Sequence, residues 1–577
     1  MNELDPRLSV AAPPAPNWAR LPAWTWIVAA GLFAHGIVPL TDYVLWDGWW
    51  YAADLVRPEG SPVMARLFHE VGRPLDMWFY LPIRWLGGDP VSWAKWLGTA
   101  AWILTAVCIA EVLRRLGGLR ASVATAIAVL VATLPVFDLL GELALWMNTA
   151  CVLLFWAAWV LVSRLPAVSG WRALGLRLAA LALFFVSFDL NSNLVMFYAV
   201  AAALAGLRLP DLRPASVLAR LPRIAARHAD LLALPVVFWL WKTWFTPTSG
   251  FYATGYNQPS LAPDRLAAGY LGLVVQFVFH GLVDLLGSPT WLIAAAAAAV
   301  AATFAIRRTP DAAAEFAATP GTGPRLFLWG TFLLLAAAFP YIVVGQSLAS
   351  EGWLTRNCIL CPLPVAMMVV GLLMMAATRW RSASRWAWVP GVAFVATLGS
   401  GGCIHNYLVY QAFGVKQLSI RAALADSIGE ANASVVQLRD HVRIPGTIPY
   451  YPPVIWTYLA TGSTGAPTAL VIETATMFPD AFQPGPDGSP RRLIPQIPLQ
   501  PQTVDEAITG TTMPYALERI PRTGPQLLAV VNQRTDTSDP AEIGRRYLLL
   551  SWLSPSQADA LVRGFTTVET HPLPRLE

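Results

Sequence analysis

The sequence predicts a polytopic α-helical membrane protein with a small C-terminal α/β domain in water, and three observations carry that expectation. Hydrophobic residues make up 56% of the 577, and charged residues only 13%, about half the ~25% of a soluble domain. The apolar residues gather into long runs, as spanning helices require, since ~20 of them cross a ~30 Å hydrocarbon core. Many of the 26 Trp sit at the ends of those runs, where an amphipathic ring favours the headgroup region.

Reading apolar runs against Arg-rich gaps gives about eleven spans. They lie near 23–40, 93–111, 121–139, 144–162, 173–188, 192–208, 231–246, 288–306, 326–345, 358–377 and 387–410. The Arg-rich gaps are Arg114–Arg120, Arg164–Arg177, Arg208–Arg227, Arg307–Arg325 and Arg379–Arg385. Placing all five in the cytoplasm puts the N-terminus inside and the C-terminal domain outside. Residues 1–22 then read as a cytoplasmic tail before a signal-anchor helix, rather than a cleaved signal. Residues 23–412 form the transmembrane domain, and 413–577 the outer domain.

One segment resists simple alternation. Residues 265–286, RLAAGYLGLVVQFVFHGLVDLL, carry His280 and Asp284 four apart, hence on one helix face. If this segment crossed, every later assignment would invert, so it is expected to be an interfacial or re-entrant helix on the outer side. The outer face then holds three large segments: 41–92, 247–287 and everything after about 411. The inner loops are short and basic, so the chemistry is expected outside the cytoplasm.

The C-terminal region should open with an amphipathic helix over Val415–Asn432. Strands are expected at Ser434–Gln437, Thr468–Ile472 and Gln526–Val531, and helices at Tyr547–Leu553 and Gln557–Phe565. A Pro-rich irregular stretch, Ile444–Pro501, separates them. No nucleotide loop or hydrolase elbow occurs there.

A net charge of +5 could point to nucleic acid, but the Arg residues sit between apolar runs and act as topology signals, so no nucleic-acid partner is expected. All five Cys lie in or beside apolar runs. Cys358 and Cys361 form a C-x-x-C without a surrounding βαβ pattern, and read as small buried apolar residues.

The candidate chemistry clusters on the expected outer face. Asp42 and Asp47 follow the first span in TDYVLWDGWWY, among Trp46, Trp49, Trp50 and Tyr51. An Asp at a helix end needs no special role, but an Asp there can also be a general base, a cation partner or a metal ligand. The aromatic rings could supply a sugar platform. Arg73 in GRPLD stands near His69, Glu70 and Asp76 and suits an ion pair or an oxyanion contact. Glu142 lies in the turn after the third span, and Asp189 in the polar turn SFDLNSN. Arg356, in QSLASEGWLTRN behind Glu351, Trp353 and Thr355, enters an apolar run from the outer side. That runs against the positive-inside bias and asks for a partner, either a lipid phosphate or an acid such as Asp47.

Taken together, these segments resemble the GT-C superfamily of integral-membrane glycosyltransferases that use polyprenyl-phosphate-linked sugars. TDYVLWDGWWY and GRPL are similar to the first loop of the bacterial branch that modifies envelope glycans, and QSLASEGWLTRN is similar to text before a late helix. The likeness in span architecture covers residues 20–410, with motif similarity over about sixty residues by eye. The resemblance implies inverting transfer from a lipid-phosphate donor to a glycan or lipid-linked acceptor, in the inner membrane of a bacterium with residues 413–577 in the periplasm. Asp47 or Asp42 would be the base, with Arg356 and Arg73 on the donor phosphate. Trp49, Tyr51, Glu142, Asp189, His280 and Glu351 would line the pocket. The family often has adjacent acids after helix one, whereas here four residues separate Asp42 from Asp47, and the text of the match favours Asp47. Metal dependence varies across the superfamily, so a divalent metal is an open cofactor. Rival readings are an O-antigen-type ligase or polymerase, a lipid or glycan transporter, and a glycan-binding assembly protein. A transporter should show mid-helix charges and internal repeats, and neither is seen.

Overall fold

The computed structural model describes residues 22–57, 60–208, 228–253, 259–276, 281–308, 321–349, 352–379, 386–445, 447, 455–461, 469–473, 502 and 524–573. Among these, eight helices are long and apolar enough to cross a bilayer, and a small four-stranded sheet lies near the C-terminus. The chain is therefore a multi-pass helical bundle carrying an α/β unit.

The helices run in order as α1 (Ala23–His35), α2 (Gly48–Val56), α3 (Gly60–Glu70), α4 (Asp76–Leu86), α5 (Pro90–Arg115), α6 (Ala121–Thr133), α7 (Trp146–Arg164), α8 (Gly170–Ser187), α9 (Ser192–Leu207) and α10 (Ala229–Phe245). Then come α11 (Pro263–Val274), α12 (Gly281–Leu286), α13 (Pro289–Arg307), α14 (Thr322–Val343), α15 (Pro362–Arg379) and α16 (Trp388–Ala431). Each expected span coincides with one of these. Four are short, however: α1 and α6 have 13 residues, α9 has 16 and α10 has 17, and of these only α1 reaches 18 residues, through the turn that follows it to Leu40. At 1.5 Å per residue α6 covers only about 20 Å, because Pro135 follows its end and the chain beyond it turns.

Local chemistry explains the ends. Asp89 caps α5 by accepting from the Val91 and Ser92 amides at 3.2 and 3.0 Å, with Pro90 in the first turn. Arg114 and Arg115 close the same helix. Gly98 on α5 lets the 134–142 segment lie against the helix, since a Cβ there would come within 1.9 Å of the Leu140 carbonyl. His35 fastens α1 into the bundle. Its Nε2 donates to the Ala132 carbonyl at 2.7 Å, which leaves Nδ1 for the Tyr407 hydroxyl at 2.7 Å.

Residues 265–286 form two short helices, of 12 and 6 residues, with 277–280 between them outside the described residues. Helix α11 descends along α14, its Tyr270 hydroxyl donating to the Leu335 carbonyl at 3.2 Å.

The amphipathic helix expected at 415–432 is not separate from the last span. Both belong to one 44-residue helix, α16, about 66 Å long. Within it Gly414 is a contact, since a Cβ there would sit 3.0 Å from the Tyr43 backbone.

The C-terminal unit packs on the far half of this helix. It contains β1 (Val435–Asp440), α17 (Ile455–Thr461), β2 (Leu470–Glu473), β3 (Gln526–Gln533), α18 (Pro540–Leu553), α19 (Pro555–Arg563) and β4 (Thr566–Leu573). The sheet order is β2-β1-β3-β4. β1 pairs parallel with both β2 and β3, and β4 pairs antiparallel with β3. Strand β4 and helix α17 were not foreseen, and most of the Pro-rich stretch 444–501 lies outside the described residues. A buried ion pair, Lys416 Nζ to Asp440 Oδ2 at 2.5 Å, ties α16 to the end of β1. Helix α18 lies directly on α16, because Gly544 abuts the Leu408 carbonyl with no room for a Cβ.

Candidate functional site

The site begins where α1 ends. Residues 41–45 are extended and held by side chains from elsewhere. The Asp42 amide donates to Gln411 Oε1 at 2.7 Å, and the Val44 amide to Gln417 Oε1 at 3.3 Å. The Leu45 amide donates to Glu142 Oε2 at 2.7 Å. Pinned on three sides, the chain then turns through Trp46, whose φ of 45° is left-handed and strained for a bulky residue. Asp47 follows at the N-cap of α2, yet its carboxylate caps nothing. It lines a cavity instead. Burial pushes its pKa up to about 6, against the pull of the Arg356 charge.

Arg356 comes from the 3₁₀ helix Gly352–Cys358. Its guanidinium lies 4.8 Å over the Trp353 ring, which stacks on Trp46 at 5.7 Å between centroids. The stack orients the guanidinium and joins the strained turn to the 3₁₀ helix. Beneath it, Thr355 donates to Asp138 Oδ1 at 2.7 Å, while Asn406 and Tyr410 of α16 donate to Oδ2 at 2.7 and 2.9 Å. Burial raises the Asp138 pKa to about 6, and these three donors lower it. Asp138 is thus the junction of the 3₁₀ helix, the 134–142 segment and α16. Glu142, also buried, is pushed to about 8.

The opposite wall is built from α4, the α8–α9 turn and α10. Arg73 Nε lies 2.9 Å from Asp76 Oδ2, and its Nη2 donates to Asn148 Oδ1 at 2.9 Å. Asp189 faces the same group. Burial pushes the pKa values of Asp76 and Asp189 up, and Arg73 pulls both back. Lys242 of α10 donates to Asn191 Oδ1 at 2.9 Å. Between the two walls is a cavity of ≈ 550 Å³. Tyr51 and Phe68 floor it, continuing into a stack with Tyr80 whose centroids lie 5.3–5.9 Å apart. Asp47, Asp76 and Asp189 carry its acids, and Arg73, Lys242 and Arg356 its cations.

Of the sequence candidates, Asp47, Tyr51, Arg73, Asp189 and Arg356 line this one cavity. Trp49 is buried in the core, and Glu142 lies beneath the site, accepting from the Leu45 amide. Asp42 is exposed and faces Tyr547 of the C-terminal unit. His280 and Glu351 lie outside the described residues. Asp76, Asn148 and Lys242 join the site without having been singled out for it. The sequence offers Asp76 as an ion-pair partner for Arg73, and only folding brings it and Lys242 beside Asp189.

Among the described residues, no three His, Cys, Asp or Glu side chains gather as a metal-ligand set. Asp76, buried as fully as Asp189, is taken up by Arg73, and three side-chain cations stand among the acids of the cavity. No protein-family model, curated protein or solved structure matches the chain significantly.

Proposed function

We propose that the chain is a membrane glycosyltransferase that moves a sugar from a polyprenyl-phosphate donor to a hydroxyl of an envelope glycan or lipid-linked acceptor. In this reading it sits in a bacterial inner membrane, N-terminus in the cytoplasm, with the cavity and C-terminal domain in the periplasm. The observation that carries the reading is the cavity itself, where an uncommitted carboxylate, Asp47, faces a guanidinium, Arg356, across a hollow with two further cations.

The chemistry follows from that arrangement. Asp47 takes the proton of the acceptor hydroxyl as its oxygen attacks the anomeric carbon. The bond from that carbon to the phosphate oxygen breaks with inversion, and polyprenyl phosphate departs. Arg356 and Lys242 receive the growing negative charge, with Arg73 held in reserve by Asp76. Tyr51 and Tyr252 offer ring faces to the sugar. A phosphate leaving group needs no nucleotide site.

The test is replacement of the chromosomal gene by Asp47→Asn or Asp42→Ala, followed by mass spectrometry of the surface glycan. Asp47→Asn should lower transfer about 10²–10⁴-fold, the contribution of a positioned base. Asp42→Ala should stay within about twofold of wild type, since that side chain lies outside the cavity. Full modification in an inserted, folded Asp47→Asn strain would sink the proposal.

A further inference from the structure

Four helices converge at the face opposite the candidate site, where α1 and α6 begin and α5 and α7 end. Between those ends lies a second kind of cavity, of ≈ 420 Å³. Its walls are apolar, with Ile27, Val107, Ala124 and Val160 each contributing from a different helix. Its rim is charged, with Glu111, Arg114 and Arg164. An apolar hollow with ions along one edge matches an amphiphile, in which a chain fills the hollow and a head meets the ions.

The rim sets the sign of that head. Arg114 donates Nε and Nη2 to Glu111 Oε2 at 3.1 and 2.8 Å, and Arg115 Nε donates to Oε1. Two arginines on one carboxylate leave a positive charge in surplus. Arg164 adds another. It is exposed, and among the described residues no carboxylate pairs with it. The depth agrees, because Trp24 borders the cavity and is 55% exposed, as an indole at headgroup level is. Surplus guanidinium at that depth is matched by a lipid phosphate.

We propose that this cavity binds one anionic phospholipid of the adjoining leaflet, its phosphate on Arg164 and Arg114 and an acyl chain along the apolar walls. The site is separate from the transfer cavity and does not rest on the glycosyltransferase reading.

The test uses the full chain, delipidated in detergent, with phosphatidylglycerol or phosphatidylcholine of identical acyl chains, and native mass spectrometry to count retained lipid. Wild type should hold one phosphatidylglycerol about fivefold more strongly than phosphatidylcholine, as one arginine near a headgroup supplies. Arg164→Gln should lower that ratio at least twofold, toward the share that Arg114 and Arg115 keep beside Glu111, and Arg164→Lys should keep most of it. Because Arg164 is exposed, lipid-free Arg164→Gln should melt as wild type does. Equal retention of the two lipids by wild type, or an undiminished preference in Arg164→Gln, overturns the proposal. So does inorganic phosphate that raises the melting temperature as much as phosphatidylglycerol, which marks a small-anion site instead.

Discussion

The two walls of the site cavity carry similar charges in different settings. On the Arg73 wall the cations lie on polar side chains, with Arg73 on Asp76 and Asn148, and Lys242 on the Asn191 amide. On the Asp47 wall the carboxylate sits at an N-cap and caps nothing, and the facing guanidinium rests on a ring. The strained φ of Trp46 belongs to the same wall. One wall thus sets cation against acid and amide, while the other sets its carboxylate at a strained turn beside an aromatic stack. Strain and an uncapped carboxylate at one point are what a working group requires, whereas a buried ion pair is costly to break.

That contrast makes the two walls separable by mutation. Arg73→Gln removes the partner of a buried acid whose side chain is fully covered, and should cost about 3–5 kcal/mol of stability, as breaking a buried pair does. Melting in detergent measures it, and Arg73→Gln with Asp76→Asn should recover part of the loss. A loss of transfer without a fall in melting temperature would reverse the roles assigned to the walls.

Asp138→Asn should act next most strongly, through Arg356 rather than through the base. Loss of a charged acceptor shared by Thr355, Asn406 and Tyr410 should lower transfer about ten- to a hundredfold. The decrease should appear in the Michaelis constant for donor, with the pH profile unmoved. The smallest effect is the profile itself. Since Asp47 must be ionised to accept a proton and its pKa is raised to about 6, transfer should rise with pH through about 6 and level off above. Arg356 lowers that value, so Arg356→Gln should move the rising limb upward. A limb near pH 4, unaffected by Arg356→Gln, would detach Asp47 from the cavity's electrostatics.

The sequence made these walls unequally visible. The spans were legible because length and apolarity are local quantities, and every expected span coincides with a helix. Arg356 stood out by its sign against topology, and Asp47 by aromatic text around it. Asp76, Asp189 and Lys242 sit on α4, a turn and α10, so their meeting is a product of tertiary packing that no spacing encodes. Asp138 meets Thr355, Asn406 and Tyr410 through the same packing. The continuity of α16 was not foreseen, and packing such as the close approach of Tyr43 to Gly414 lies along the joined stretch. Strand β4, THPL at its end, has weak strand propensity and is paired into the sheet by β3 alone.

The most direct measurement of the central account is binding of a short polyprenyl phosphate, the leaving group of the proposed reaction, to the purified full chain. Tryptophan fluorescence should report it, because Trp46 and Trp353 stack beside Arg356. Arg356→Gln should weaken binding about tenfold or more, as loss of a charge-assisted contact does. Asp47→Asn should leave binding unchanged or tighter, since it removes a negative charge facing the phosphate. Unaltered binding by Arg356→Gln, or binding abolished by Asp47→Asn, would contradict the account.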